Sequence, residues 1–213
     1  VCAIWNIDVL GALSRETESP ERASCPFSLQ RSGFVLSEGG AVLCLEERES
    51  ALARGATILA EVTGYANFSD AVDFTSPAED CVAREQTIRW ALRGADLQPA
   101  DLDYINAHGT STPLNDLNET QSLKKALGDE AYRIPISSTK AYSGHLIAAA
   151  GSFETIVCLQ AMAAGILPAT AHLTQPDPQC DLDYIAEGHR QGEIHRALNL
   201  SFGLDRKSTR LNS

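Results

Sequence analysis

The chain has 213 residues, of which 44% are hydrophobic and 21% charged, so it is long enough for one or two folded domains and too apolar for a disordered protein. Its formal net charge of −11 argues against a nucleic-acid-binding protein, which would need a basic face. The six cysteines include no CxxC pair and fit neither a zinc site nor a small disulfide framework. We therefore expect a cytoplasmic protein with reduced thiols, no metal and no cofactor.

Strand-like and helix-like runs alternate along the chain, an order typical of α/β proteins. Strands are predicted at residues 41–45, 58–64, 104–107 and 134–138. Helices are predicted at residues 46–54, 78–93, 116–127 and 144–165. Asp116 and Glu119 have the spacing of a capping box at the start of the third helix, which would end at Gly128.

The apolar stretch of residues 146–167 is interrupted by Ser152, Glu154, Thr155 and Gln160. A membrane span needs about 20 mostly apolar residues, and a carboxylate inside it is costly. We interpret the stretch as a buried helix of a soluble protein and expect no contact with a membrane. Its small residues 148–151 would allow another backbone to approach closely.

Residues 205–213 are polar and break the alternating pattern. Their sequence equals the translation of a common short-read sequencing adapter. We expect this tail to be non-native, with a genuine polar tail as the alternative.

Three segments could carry chemistry. The first reads Asn-Ala-His-Gly-Thr-Ser-Thr-Pro at residues 106–113, where His108 follows a predicted strand and could present its imidazole to a cleft. A lone loop histidine is more often structural or solvated, so the residue alone leaves its role open.

The second segment, residues 137–145, places Lys140 and His145 five residues apart just before a helix. Free N–H groups at a helix start favour negative charge and a neutral imidazole. The third segment is the long helix, which carries Glu154 inside its apolar run. A buried carboxylate needs a partner, and Lys140 is the candidate; a surface lysine and a solvent-facing Glu154 are the alternatives.

Together these segments resemble the β-ketoacyl synthase family, in particular the type II synthases that elongate acyl chains on acyl carrier protein. Further matching stretches lie at residues 26–27, 31–36, 54–56, 75–77, 176–184 and 201–203. The resemblance implies the thiolase-like fold with αβαβα layers, of which this chain would hold the C-terminal part. Residues 1–50 would end the N-terminal half of the synthase, and residues 51–204 would form its C-terminal half.

The resemblance also implies roles for individual residues. His108 and His145 would hydrogen-bond the malonyl thioester oxygen and stabilise the enolate that forms on decarboxylation. Lys140 would pair with Glu154 and set the electrostatic field of the site. Supporting positions in the same motifs are Thr110, Thr112, Phe202 and Leu204. Leu204 stands where the family has a gating phenylalanine whose backbone N–H helps to bind an oxyanion.

The family nucleophile is a cysteine, and the resemblance puts it before Val1. None of the six cysteines lies in its motif, and Cys25 stands where the family usually has arginine. The predicted function is decarboxylative Claisen condensation in fatty-acid synthesis, with acyl carrier protein as partner and a homodimer at full length. A non-catalytic chain-length factor and a polyketide synthase segment are the alternatives; the presence of His108, Lys140 and His145 favours an enzyme.

Overall fold

The computed structural model describes residues 2–73 and 76–203. Its helices are α1 (Cys2–Val9), α2 (Arg48–Ala53), α3 (Val82–Gly94), α4 (Pro113–Leu127), α5 (Lys140–Ser143) and α6 (Ala150–Ala164). Its strands are β1 (Tyr104–Asn106), β2 (Ile136–Ser137), β3 (Ile166–Leu167), β4 (Arg190–Gln191) and β5 (Ala197–Asn199). The α/β class predicted from the alternating pattern is confirmed.

A parallel sheet in the order β2-β1-β5 forms the centre of the fold. Ile105 of β1 lies opposite Ile136 of β2 on one side and Leu198 of β5 on the other. Helices α3 and α4 pack against each other, and α6 packs against β5. The separate strands β3 and β4 form a short antiparallel pair.

The main core is built from apolar residues of the sheet, of α3 and α4, and of the loop after residue 170. Ile88, Ile105, Leu123 and Ile136 are all fully buried in it. Phe27 joins this core from the N-terminal part of the chain, and its ring stacks on Tyr184 with 3.6 Å between ring centres. These contacts fix the sheet edge on which the site described below is built.

Two predicted strands are absent from the structure. Residues 41–45 and 58–64 form neither helix nor strand, and Val42 and Leu59 are 91% and 75% exposed. A strand needs a neighbour to pair its backbone N–H and C=O groups. Within the described residues neither segment has a neighbouring strand in a sheet, so both predictions are wrong for this structure.

The capping-box prediction at Asp116 is also wrong. Helix α4 begins three residues earlier, at Pro113, and Thr112 occupies the N-cap position. Proline is well suited to the first helical position because the N–H that it lacks would have no helical partner there. Asp116 and Glu119 therefore lie within α4, where both are fully buried.

The long apolar helix is shorter than predicted and only partly covered. A short 3₁₀ turn at Ile147–Ala149 precedes α6, which ends at Gly165 in the left-handed conformation. One face of α6 is buried, formed by Ala150, Glu154, Cys158 and Ala161. Within the described residues, Ile147–Ala164 is long and apolar enough by composition to cross a membrane, and 22% of it is buried. Length and composition alone are weak evidence for a span, because core helices pass the same test.

Candidate active site

The three parallel strands end at the same edge of the sheet, and each is followed by a residue of the predicted site. His108 follows β1, Lys140 follows β2, and Phe202 follows β5. Ligands of open α/β sheets bind at the carboxyl ends of parallel strands. The topology thus brings together residues that are more than 90 positions apart in the sequence.

His108 is 5% exposed and sits on a tightly fixed loop. Its backbone N–H donates to Glu119 Oε1 at 2.7 Å, and the N–H of Gly109 donates to Glu119 Oε2 at 2.8 Å. Gly109 has a φ of +37°, and a Cβ at this position would lie 2.4 Å from the Cβ of Ser138. Glycine is therefore required next to the histidine.

His145 lies beside His108, with 5.4 Å between the ring centres and the rings nearly perpendicular. The backbone N–H of Ile147 donates to His145 Nδ1 at 3.1 Å. In the neutral ring the proton must then be on Nε2, which is left as a hydrogen-bond donor. Gly144, with a φ of +68°, makes the turn that leads into His145.

Both imidazoles are held in the neutral form. Burial lowers the pKa of His145 to about 4, and the Lys140 charge adds to the effect. Burial also lowers the pKa of His108 well below its usual value, and the positive charges of Lys140 and Arg84 add to the effect. Neutral imidazoles donate N–H hydrogen bonds without carrying charge, which suits the stabilisation of a developing oxyanion.

Lys140 and Glu154 form a buried ion pair, as predicted. The Lys140 ammonium donates to Glu154 Oε1, and each residue is 1% exposed. The Ser201 hydroxyl, which follows β5, is 3.4 Å from Glu154 Oε2. Burial raises the pKa of the Glu154 carboxyl, and the Lys140 charge opposes this rise.

The structure describes three of the four predicted supporting residues. The Thr110 and Thr112 hydroxyls are 2.9 Å apart and hydrogen-bond each other in the loop between His108 and α4. The ring of Phe202 lies 5.5 Å from the His108 ring, edge to face. Leu204 and the tail of residues 205–213 lie outside the described residues, so the oxyanion role of Leu204 and the origin of the tail stay predictions.

Two site residues were missed from the sequence alone, because both were assigned to a capping box. Glu119 holds the His108 loop, and Asp116 Oδ2 accepts a 2.8 Å hydrogen bond from the N–H of Phe27. Arg31 lies 3.8 Å from the same Asp116 oxygen and pairs with Asp177 at 2.6 Å. Burial raises the pKa of Asp116 to about 6. The signal that could have found Glu119 is its position eleven residues after His108 on the next helix.

None of the thiols whose pKa is clearly shifted is activated. Burial raises the pKa of Cys25, raises that of Cys158 to about 12 and raises that of Cys180 to about 11. A nucleophilic cysteine needs a lowered pKa, usually from a nearby positive charge. Among the described residues, no group of three His, Cys, Asp or Glu side chains is arranged to hold a metal ion.

The site thus places two buried neutral imidazoles beside a buried Lys–Glu pair, near the carboxyl ends of the parallel strands. Residues 59–174 match the C-terminal domain of the β-ketoacyl synthases. The chain belongs to the β-ketoacyl synthase family and corresponds to its C-terminal portion.

Relatives of two kinds support this assignment. The chain is 47% identical over 192 residues to the 3-oxoacyl-[acyl-carrier-protein] synthase 2 of Synechocystis sp., covering 90% of this chain and 46% of the relative. It is 42% identical over 196 residues to the tetracenomycin polyketide synthase ketoacyl synthase alpha subunit of Streptomyces glaucescens, covering 92% of this chain and 46% of the relative. The chain thus spans about half the length of the curated relatives it matches.

Solved structures agree with the fold. A type II polyketide synthase ketosynthase, in complex with its acyl carrier protein and bound to the hexaketide, superposes with a TM-score of 0.89 at 42% identity, covering 95% of this chain and 50% of the neighbour. A β-ketoacyl synthase from Burkholderia phymatum gives a TM-score of 0.83 at 35% identity, covering 94% and 49% of the two chains. The thiolase-like fold implied by the sequence is therefore confirmed for the C-terminal portion.

Proposed function

We propose that this chain is the enolate-stabilising half of a 3-oxoacyl-[acyl-carrier-protein] synthase, an enzyme that catalyses decarboxylative Claisen condensation. The observation that carries the proposal is the pair of His108 and His145, buried together and kept neutral beside Lys140 and Glu154. A structural pair of histidines would have no need of a free N–H donor on His145.

The chemistry follows from that pair. When malonyl thioester loses CO₂, the electrons of the broken C–C bond move to the thioester oxygen and form an enolate. N–H donation from neutral imidazoles stabilises this negative charge without transferring a proton. The enolate carbon then attacks the acyl thioester on the enzyme, the enzyme thiolate leaves, and a 3-oxoacyl thioester is the product.

The nucleophile of the proposed reaction is a cysteine outside these 213 residues. Support comes from the buried thiols of Cys25, Cys158 and Cys180, whose pKa values are raised rather than lowered. The proposed carrier of both substrates is acyl carrier protein, because a ketosynthase of high structural similarity is bound to one. A homodimer in the cytoplasm belongs to the same proposal and rests on the family resemblance.

A second candidate is polyketide rather than fatty-acid synthesis. It is favoured by the similarity to ketosynthases of type II polyketide synthases, including the neighbour bound to a hexaketide. The same site chemistry serves both pathways. They differ in whether the 3-keto group is reduced before the next extension, and we propose the fatty-acid role because the Synechocystis relative has the higher identity.

The proposal can be tested in a chimera that joins the amino-terminal part of the Synechocystis relative, which this chain does not match, to residues 1–203, followed by the C-terminal end of the same relative so that the oxyanion position after residue 203 is present. We expect His108→Ala and His145→Ala each to slow malonyl decarboxylation by about 10²–10³-fold, the usual effect of losing one oxyanion donor. Acylation of the nucleophile should survive. The matched control is His195→Ala, because the His195 side chain is 72% exposed.

Two outcomes would contradict the proposal. Equal loss of acylation and decarboxylation in the histidine variants would remove their assigned role. A chimera that extends a starter several times, and only when a chain-length factor is added, would favour the polyketide candidate over the fatty-acid one.

A further inference from the structure

Arg84 is a charged residue near the start of α3 that contacts the site through an aromatic ring. Its guanidinium carbon lies 4.1 Å from the centre of the Phe202 ring. Its Nη1 donates a long, 3.5 Å hydrogen bond to the carbonyl oxygen of Asn115. The side chain is half-buried, and within the described residues no carboxylate lies at ion-pair distance from it. The contact with the Phe202 ring and this long hydrogen bond are thus the defined contacts of the guanidinium.

Phe202 packs, partly buried, against the main core at the end of the central sheet. Strand β5 ends at Asn199, and the last ladder-like backbone bond runs from the N–H of Leu200 to Asn106. The residues on both sides of Phe202, Ser201 and Gly203, are exposed. The ring nevertheless lies edge to face against His108 at 5.5 Å. The ring therefore packs against the core and is also covered by the Arg84 guanidinium, which lies over its face.

We infer that Arg84 is a positioning residue for His108, which it serves by holding the Phe202 ring against the imidazole. An arginine stacked on an aromatic face is a favourable cation–π contact, and the planar guanidinium suits it better than the compact ammonium of lysine does. The catalytic meaning of this inference rests on the proposed function, but the contact itself does not.

The positive charge of Arg84 also acts on His108, by favouring the neutral form of its imidazole. Burial is the main cause of the lowered pKa of His108, and the positive charges of Lys140 and Arg84 add to it by disfavouring the imidazolium. On the other side of the loop, the Glu119 carboxylate accepts from the backbone N–H of His108. Loss of Arg84 should therefore raise the pKa of His108 and loosen the ring beside it.

The two contributions can be separated by two substitutions. Arg84→Met keeps the length of the side chain and removes the charge and the planar group. Arg84→Lys keeps the charge and weakens the stacking. Arg89→Met is the matched control, because Arg89 lies five residues further along α3 and pairs with Glu85.

The test uses the 213-residue chain labelled at histidine, with the imidazole signals of His108 followed by NMR across pH. In Arg84→Met, the His108 signals should move and its titration midpoint should rise. In Arg84→Lys, the midpoint should stay near that of the wild type while the ring-dependent shifts change. In Arg89→Met, neither should change. Unchanged His108 signals in a folded Arg84→Met chain would overturn the inference.

A double substitution tests whether Arg84 acts through Phe202. In a Phe202→Leu chain, Arg84→Lys should have no further effect on the His108 signals, since the ring that transmits the packing is gone. Additive shifts would overturn the inference. Arg84→Lys retains the charge, so this arm remains decisive if Arg84→Met does not fold.

The chimera supplies the functional readout. We expect Arg84→Met to lower kcat for malonyl decarboxylation by roughly 10-fold to 100-fold, the cost of misplacing a catalytic group by about 1 Å, with partial rescue by Arg84→Lys. Inactivity of the unsubstituted chimera would count against the proposed function and leave the NMR result on Arg84 standing. An Arg84→Met chimera with normal kcat and a normal pH profile would overturn the inference alone.

Discussion

The Lys140 ammonium and the Glu154 carboxylate meet where water cannot reach either group, since each residue is 1% exposed. Removing one member of a buried pair leaves the other charge without a partner, which costs about 3–5 kcal/mol. We therefore expect Lys140→Ala and Glu154→Ala each to lower the free energy of unfolding by about this amount. Denaturant titration of the two single variants and the double variant measures the coupling between them.

The surface pair of Glu85 and Arg89 is the control for this cycle. Like the Lys140–Glu154 pair, it joins a cation to a carboxylate, here at i,i+4 spacing on α3 with the arginine side chain half exposed. The coupling energy of such helix pairs is about 0.3–0.5 kcal/mol. The Lys140–Glu154 coupling should be several times larger. Additive effects at the buried pair would mean that the two residues do not stabilise each other.

Asp116 gives the stability of the chain a pH dependence of opposite sign to that of the histidines. Its folded pKa of about 6 lies above the unfolded value of 3.8, so the folded state binds more protons between these values. Its contribution to stability is thus lost as pH rises through about 6, by about 3 kcal/mol in total. His145 acts oppositely, because its folded pKa of about 4 lies below 6.5, and stability rises with pH between them.

In an Asp116→Asn variant, the opposing effect of Asp116 is removed, so the histidines should dominate the pH dependence of the free energy of unfolding. The free energy of unfolding of the variant should rise more steeply between pH 4 and pH 6.5 than that of the wild-type chain. Denaturant unfolding at four or five pH values gives both slopes, and the absolute stability of the variant does not enter the comparison. Parallel curves would show that Asp116 titrates as it does in the unfolded chain.

At the scale of elements, α4 explains why part of the site was missed. Its buried face is mostly polar, and includes Asn115, Asp116, Asn118, Glu119, Thr120 and Ser122. A helix with polar residues on most sides is normally assigned to the surface, because polar groups cost free energy when buried unpaired. Here Asp116 and Glu119 accept backbone N–H groups of distant loops, and Asn118 donates to a distant carbonyl oxygen. No local pattern can reveal such partners.

Glu119 is the member of that face with the most direct link to His108. Each of its oxygens accepts one backbone N–H, so Glu119→Gln keeps one acceptor and replaces the other with a donor. Leaving a buried N–H unpaired costs about 1–3 kcal/mol. We expect unfolding to become easier by this amount and the amide of Gly109 to exchange its hydrogen faster.

Glu193→Gln is the control for Glu119→Gln, because the Glu193 side chain is 88% exposed. Surface substitutions of this kind usually change stability by less than about 0.5 kcal/mol. Equal protection of the Gly109 amide in the Glu119→Gln and wild-type chains would contradict the role assigned to this carboxylate.

The elements that could be predicted are those with local signals and partners inside the chain. Strands β1 and β2 are short apolar runs that pair with each other, and both fall within predicted strands. Residues 41–45 and 58–64 carry the same apolar signal and still form no strands. Sequence reports the tendency to be a strand, whereas pairing depends on where the other strands are. His108, Lys140 and His145 were found because motifs, rather than periodicity, marked them.

At the scale of the whole molecule, the five most exposed large apolar side chains of the described residues lie close together in the sequence. Val42, Leu45, Leu59, Val62 and Tyr65 are between 72% and 91% exposed, and they lie in the two segments that flank α2, residues 41–47 and 56–65. The chain also spans only about half of its curated relatives. Proteins that are stable alone rarely expose contiguous apolar surface on this scale. We therefore expect these segments to pair with strands of the part of the synthase that the relatives contain and this chain does not.

The last prediction tests this dependence directly. The isolated chain should bind a dye specific for exposed apolar surface and should self-associate in sedimentation experiments. Supplying the unmatched amino-terminal part of the Synechocystis relative should remove both signs, because its strands would cover residues 41–45 and 58–64. Val42→Glu and Leu59→Glu should lower dye binding by the isolated chain and weaken assembly with the added part. Lys125→Glu changes charge on α4, away from these segments, and should leave assembly intact. A monomeric isolated chain without dye binding, or assembly unaffected by Val42→Glu and Leu59→Glu, would show that these segments are not an interface.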